Sequence, residues 1–182
     1  MSVGVVSLAS SVSVEGGLTG TNGSRNYTRR GDLDYGFMSE QNVRCKLEDF
    51  YRCKMIKDEN KYALFDFHSE QGETQGETQA ELKTRRIRHD MYPTAMVGAN
   101  KVRWAEAHCG EGKQFWFWFQ YTDGLYFIAY QKEVFDEFMR GTLRIASRSD
   151  VGRTEESEVV YIPVGRLRKY EEDAWGGVIN SV

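Results

Sequence analysis

The stretch Tyr62–Arg85, YALFDFHSEQGETQGETQAELKTR, decides how the rest of the chain is read. It has two apolar, strand-like arms around a polar centre. The first arm carries Asp66 between Phe65 and Phe67, and the second carries Glu81 and Lys83 around Leu82. Residues two apart in a strand share a face, so Glu81 and Lys83 project together while Leu82 turns away. The same rule groups Asp66 with Leu64 and His68 and puts Phe65 and Phe67 on the other face. The centre is a tandem duplication, Gln71-Gly72-Glu73-Thr74 followed by Gln75-Gly76-Glu77-Thr78. An insertion of four residues is even, so it keeps every side chain on its face. A symmetric hairpin would turn near Glu73 and Thr74 and set Asp66 opposite Glu81.

The remaining sequence reads as support for that hairpin. The 182 residues, 40% hydrophobic and 13% aromatic, suffice for one well-packed domain. A net charge of −3 argues against polyanion binding by the whole surface but leaves room for a local basic groove. Cys45, Cys53 and Cys109 are an odd set without metal-ligand spacing. The opening residues lack the pattern of a signal peptide, and no run approaches membrane-spanning length. A soluble protein of a reducing interior is expected: cytoplasm, nucleus or, for a viral protein, virion.

Residues 1–34 are rich in Gly, Ser, Thr and Asn and read as a flexible arm carrying Arg25, Arg29 and Arg30. Residues 35–182 form the expected single domain. From Ser39 to about Ile56, Val43, Leu47, Phe50 and Tyr51 make one apolar helical stripe, with Ser39 as the N-cap. Glu40 and Glu48 lie on or beside this stripe, and either could be an acid reaching the hairpin. After the hairpin, Lys83, Arg85, Arg86, Arg88, Lys101 and Arg103 face Asp90 alone. Such a segment is suited to phosphate contact. Pro93 predicts a short helix over Thr94–Arg103. QFWFWFQY (114–121), the turn Asp123-Gly124 and LYFIAY predict a hairpin with a central strand buried on both faces. A short helix over Glu133–Met139, strands near 142–148 and 158–164 around a loop with Gly152, and a helix from about Leu167 complete the expectation. His68, His89 and His108 share no ligand-like spacing, and His89 reads as an exposed side chain that at most touches phosphate.

The chemistry follows from the residue types. The Asp66 and Glu81 carboxylates and the Leu82 carbonyl offer hard oxygen donors suited to Mg²⁺ or Mn²⁺. Lys83 beside them could orient water or stabilise charge on a phosphate, which is the equipment for phosphodiester hydrolysis. The competing structural reading is a solvent-face ion-pair cluster across the strands. Against that, Asp66 sits among apolar neighbours, where a polar residue needs a partner or a role.

The spacing of Asp66, Glu81 and Lys83, after one helix and before another, resembles the PD-(D/E)XK nuclease superfamily. The longer string AELKTR…YPTAMVGANK, the aromatic strand and TDGLYFIAY resemble uncharacterised members encoded by large DNA viruses. Archaeal-type Holliday-junction resolvases are more distant relatives. The resemblance covers about Ser39–Val164 and implies an α/β, restriction-endonuclease-like core with a central mixed sheet flanked by helices. It also implies a metal-dependent DNA endonuclease, with branched DNA as one substrate class. In that reading Asp66 and Glu81 bind metal, Lys83 assists catalysis and Glu40 is the helix-borne acid of the resolvase-like branch. Resolvase-like members act as dimers, so a homodimer is a further expectation. Phe65 stands where the motif has proline, the duplicated loop is unusual, and the superfamily includes non-cleaving members. The alternatives are therefore a nucleic-acid-binding or virion protein of the same fold and a β-rich domain recognising a sugar or protein.

Overall fold

The computed structural model describes residues 29–60, 62–70, 76–110, 112–146 and 154–171. At its centre lies β5 (Lys113–Tyr121), pairing in parallel with β3 (Glu77–Thr84) and antiparallel with β6 (Gly124–Ala129). Phe115, Phe117 and Phe119 point to one face and Trp118 to the other, and all four are buried. Alternation of this kind, with large rings at both parities, needs cover on both sides. The six-stranded sheet runs β1-β2-β3-β5-β6-β9, with β1 (Met55–Lys57), β2 (Phe67–Ser69) and β9 (Arg168–Lys169) as the shorter strands.

Helix α1 (Arg29–Tyr51) covers one face. Its Val43, Leu47, Phe50 and Tyr51 pack with Ala80, Leu82, Trp118 and Phe127. Each such buried side chain contributes about 1.5–3 kcal/mol. Trp118 Nε1 donates to the Tyr51 hydroxyl at 2.8 Å, which satisfies two polar groups within this layer. The other face meets α2 (Ala99–His108) through Val102 and Ala105. Beyond α2 stands a three-stranded sheet, β4-β8-β7, of β4 (Thr94–Gly98), β8 (Thr154–Pro163) and β7 (Met139–Ala146). A short helix α3 (Lys132–Asp136) seats Phe135 against the same core. Parallel pairing of β3 and β5 requires a long crossover, and the segment containing β4 and α2 supplies it. The mixed α/β core of helix, antiparallel strands, helix and parallel strand is the architecture the sequence led us to expect.

Local details differ from the sequence reading. Helix α1 starts at Arg29, so residues 29–34, expected in the flexible arm, are helical, and Ser39 lies inside the helix rather than capping it. Gly31 and Gly36 interrupt the composition there and hide the earlier turns. The helix also stops at Tyr51, where Arg52 takes a left-handed φ of 54°. Met55 and Ile56, expected in the last turn of the helix, instead belong with Lys57 to a strand paired with Phe67–Ser69. The helix anticipated over Thr94–Arg103 is a strand up to Gly98: Ala95 and Val97 are buried at period two and pair against β8. The helix begins only after Gly98. In place of a helix from Leu167 there is a 3₁₀ turn at Val164–Arg166 followed by β9. The arm up to residue 28, the duplicated tip at 71–75, the loop around Gly152 and the C-terminal end from 172 lie outside the described residues. Among the described residues, no helix is long and apolar enough to cross a membrane.

Candidate active site

Asp66 lies in a bend just before β2. Antiparallel pairing of Phe67 with Ala80 and of His68 with Gln79 sets the register. One step further along, Asp66 comes level with Glu81, the pairing expected from a symmetric hairpin. Its backbone N–H donates to the Ala80 carbonyl at 3.1 Å, and its Oδ2 accepts the Leu82 N–H at 2.8 Å. The facing of the aromatic pair differs from expectation. Phe65 belongs to the core beneath α2 and Phe67 to the core beneath α1, because the bend at 64–66 interrupts strand alternation.

Glu81 is 0% exposed, an extreme value for a carboxylate. Lys83, on the same face of β3, forms an ion pair with its Oε1, and Lys101 of α2 hydrogen-bonds its Oε2. The Lys83 contact lacks hydrogen-bond geometry, so Oε1 is buried without a hydrogen bond. Burial pushes the Glu81 carboxyl above its ordinary range. Lys83 opposes that shift, Asp66 adds to it and Lys101 opposes it. Lys101 also donates to the Leu64 carbonyl at 2.5 Å, and its ammonium stands 5.8 Å from the Phe65 ring centroid. The sequence pointed Lys101 at phosphate; the structure turns it inward.

Glu40 and Asp66 line one cavity of about 790 Å³, together with Arg44, Lys57, Asp58 and Phe65. Glu40 forms an ion pair with Lys57, which lines the same cavity. Glu48, the rival acid, accepts the Met55 N–H at 3.1 Å and the Arg44 Nε–H at 3.2 Å. It fastens α1 to β1 instead of facing Asp66. The remaining cations of the basic segment are dispersed. Arg88 pairs with Asp90 at 3.1 Å, Arg103 pairs with Glu158 at 2.5 Å, and Arg85 donates to the Thr84 carbonyl at 3.2 Å. Arg86 is exposed.

The donor set fits a hard divalent cation on structural grounds. Asp66 Oδ1 has no hydrogen bond among the described residues, and Glu81 Oε1 is the orphaned oxygen already noted. In a strand the N–H and C=O of one residue leave the same edge, so the Leu82 carbonyl is directed to the Asp66 side along with its amide. Two carboxylate oxygens and a peptide oxygen match Mg²⁺ or Mn²⁺ chemistry.

A second cluster was missed in the sequence. His89, Asp90 and Asp123 place ligand-type atoms within 4.8 Å of one another, a second place where a cation could be held. His89 Nδ1 lies 2.6 Å from Asp123 Oδ2, the His89 N–H donates to Asp123 Oδ1 at 2.9 Å, and the imidazole stacks on Tyr126 at 4.4 Å. His89 is thus half-buried and engaged, not the exposed side chain expected. Asp123 is 34 residues away in the chain, a contact that no local spacing could announce.

No curated protein and no solved structure matches the chain. Residues 25–170 match the family described as "Phage putative PDDEXK endonuclease". That span takes in α1, the Asp66–Lys83 hairpin, the α2 crossover and the aromatic strands. The chain therefore belongs to this phage endonuclease family of the PD-(D/E)XK superfamily.

Proposed function

We propose that the protein is a divalent-cation-dependent endonuclease that hydrolyses DNA phosphodiester bonds at Asp66, Glu81 and Lys83. The observation that carries this reading is Glu81, a fully buried carboxylate with one oxygen lacking a hydrogen bond, next to Asp66 and Lys83. A buried charge left in that state is costly unless a further cation completes its surroundings. Asp66, Glu81 and the Leu82 carbonyl would hold Mg²⁺ or Mn²⁺. When bound, such an ion supplies Lewis acidity toward a phosphate oxygen and water.

The chain's own groups do the rest. Asp66 is fixed by the Leu82 amide, so its remaining oxygen is presented in one direction. Lys83 is 29% exposed, leaving its ammonium able to orient a water or to stabilise charge on phosphate oxygens. Glu40 reaches the same cavity from α1 and serves as the helix-borne acid. Arg85, Arg86, Arg88 and Arg103 are the proposed phosphate contacts, Arg88 and Arg103 exchanging their surface ion pairs for phosphate.

Incubating the purified protein with supercoiled, branched and single-stranded DNA in Mg²⁺ or Mn²⁺ tests the reading. Wild type should cleave, and Asp66→Ala and Lys83→Ala should not; the preferred form of DNA identifies the substrate class. Wild-type protein that binds all three forms yet cuts no faster than the variants would make this a non-cleaving DNA-binding member of the fold.

A further inference from the structure

We propose that Lys101 is a positioning residue. Its ammonium group ties the Leu64–Asp66 bend to Glu81, so the two carboxylates are held together before cation or DNA arrives. The inference rests on the proposed roles of Asp66 and Glu81 and adds a device that assembles them.

Three contacts meet at one nitrogen. Lys101 Nζ donates to the Leu64 carbonyl at 2.5 Å, hydrogen-bonds Glu81 Oε2, and lies 5.8 Å from the Phe65 ring centroid. Leu64 and Phe65 immediately precede Asp66, so the same ammonium grips the chain leading into one acid and the side chain of the other. The grip has a rigid base. Lys101 sits in the first turn of α2, whose Ala99, Val102 and Ala105 are 2%, 0% and 0% exposed.

The other hydrogen bonds that hold the bend lie at its two ends. Ala63 N–H donates to the Asn60 carbonyl at 2.8 Å, and the Asp66 backbone bonds Ala80 and Asp58. Tyr62, at the other end of the bend, is 79% exposed. Without Lys101, the carbonyl of Leu64 loses its donor and Glu81 keeps Lys83 as its cationic neighbour.

Lys83 is the informative contrast. It pairs with the same carboxylate and, among the described residues, makes no hydrogen bond or ion pair with the bend, and its side chain is 29% exposed against 16% for Lys101. Exposure suits a group that meets substrate. A lysine folded inward onto a carbonyl and a carboxylate suits a strut, and a hydrated phosphate contact would be placed outside.

The test uses the full-length, metal-free protein and three variants: Lys101→Met, Lys101→Arg and Lys83→Met. Amide hydrogen exchange should be at least about tenfold faster at residues 63–66 in Lys101→Met, with β5 unchanged. Lys83→Met should leave that bend at the wild-type rate, and Lys101→Arg should restore protection. In EDTA, the salt dependence of DNA binding by Lys101→Met should equal that of wild type. With Mn²⁺, its kcat should fall about 100-fold while KM for DNA stays within about twofold, as misplacing a reacting group predicts.

If Lys101→Met does not fold, Lys101→Met/Glu81→Gln removes the unbalanced charge and should still show the faster exchange. Wild-type exchange in the bend would overturn the proposal. A salt slope reduced by about one would also overturn it, making Lys101 a phosphate contact. Loss of the nuclease reading alone appears differently: Asp66→Ala would cleave like wild type while the exchange pattern remained.

Discussion

Glu81 and Asp123 are both carboxylates held against basic side chains, and their surroundings drive them in opposite directions. Glu81 is wholly buried, and burial holds its carboxyl above the ordinary range despite two ammonium neighbours. Burial also pushes Asp123 up, but the hydrogen bonds from the His89 ring and backbone outweigh it and leave that carboxyl below its ordinary range. Asp123 lies in the turn between β5 and β6, next to Arg88, with every oxygen engaged. The comparison separates a buried carboxylate with one oxygen still lacking a hydrogen bond from one whose carboxylate oxygens are both engaged. An anion in the first condition is where a divalent cation gains most.

Substitutions break this comparison most sharply at the level of catalysis. Asp66→Ala or Glu81→Gln should lower the cleavage rate about 10³-fold, because several kcal/mol of transition-state stabilisation depend on the cation. Lys83→Ala should cost on the order of 10²–10³-fold. His89→Ala and Asp123→Asn should remain within about threefold, the pair being structural. Equal losses at both clusters in a gel-based cleavage assay would erase the distinction.

The two helix acids give a smaller contrast. Glu40→Gln should lower the rate roughly tenfold with little effect on folding, as expected of a group supporting the inner ligands. Glu48→Ala should leave cleavage intact and cost about 1 kcal/mol in urea unfolding, through the bond to the Met55 amide. Reversed outcomes would make Glu48 the functional acid.

The smallest effect has opposite signs at the two sites. Glu81 in the folded, metal-free protein holds its proton more tightly than the ordinary value of 4.5. Its contribution to stability is therefore full below about that pH and declines as pH rises through the folded value. Asp123 titrates below its ordinary value of 3.8, so its contribution is present above that pH and is lost as pH falls. Urea unfolding in EDTA should show wild type losing stability relative to Glu81→Gln as pH rises from 4.5. Relative to Asp123→Asn, wild type should lose stability only on strong acidification. A difference for Glu81→Gln that stays flat as pH rises from 4.5 would contradict the burial of this carboxyl.

Much of this was legible in the sequence, and the exceptions have physical causes. Alternation within AELKT correctly divided Glu81 and Lys83 from Leu82, since β3 is a continuous strand packed on both sides. The same rule failed across Phe65–Phe67, where the backbone bends and period two does not apply. The symmetric numbering of the hairpin gave the Asp66–Glu81 register because the strands carry no bulge there. Pro93 misled because it precedes a strand paired to β8, a partner more than sixty residues away. In the sequence Lys101 is one more cation in a basic run; its inward turn depends on Leu64 and Glu81 arriving from elsewhere. The His89–Asp123 pair was illegible for the same reason.

The thermal unfolding midpoint with and without Mn²⁺ reads cation binding at Asp66 and Glu81. At about 100 times its dissociation constant, Mn²⁺ should raise the wild-type midpoint by roughly 5–10 °C. Asp66→Asn and Glu81→Gln should show no rise, and Asp123→Asn should respond as wild type does. A wild-type midpoint indifferent to Mn²⁺, or a response abolished by Asp123→Asn and retained in Glu81→Gln, would contradict it.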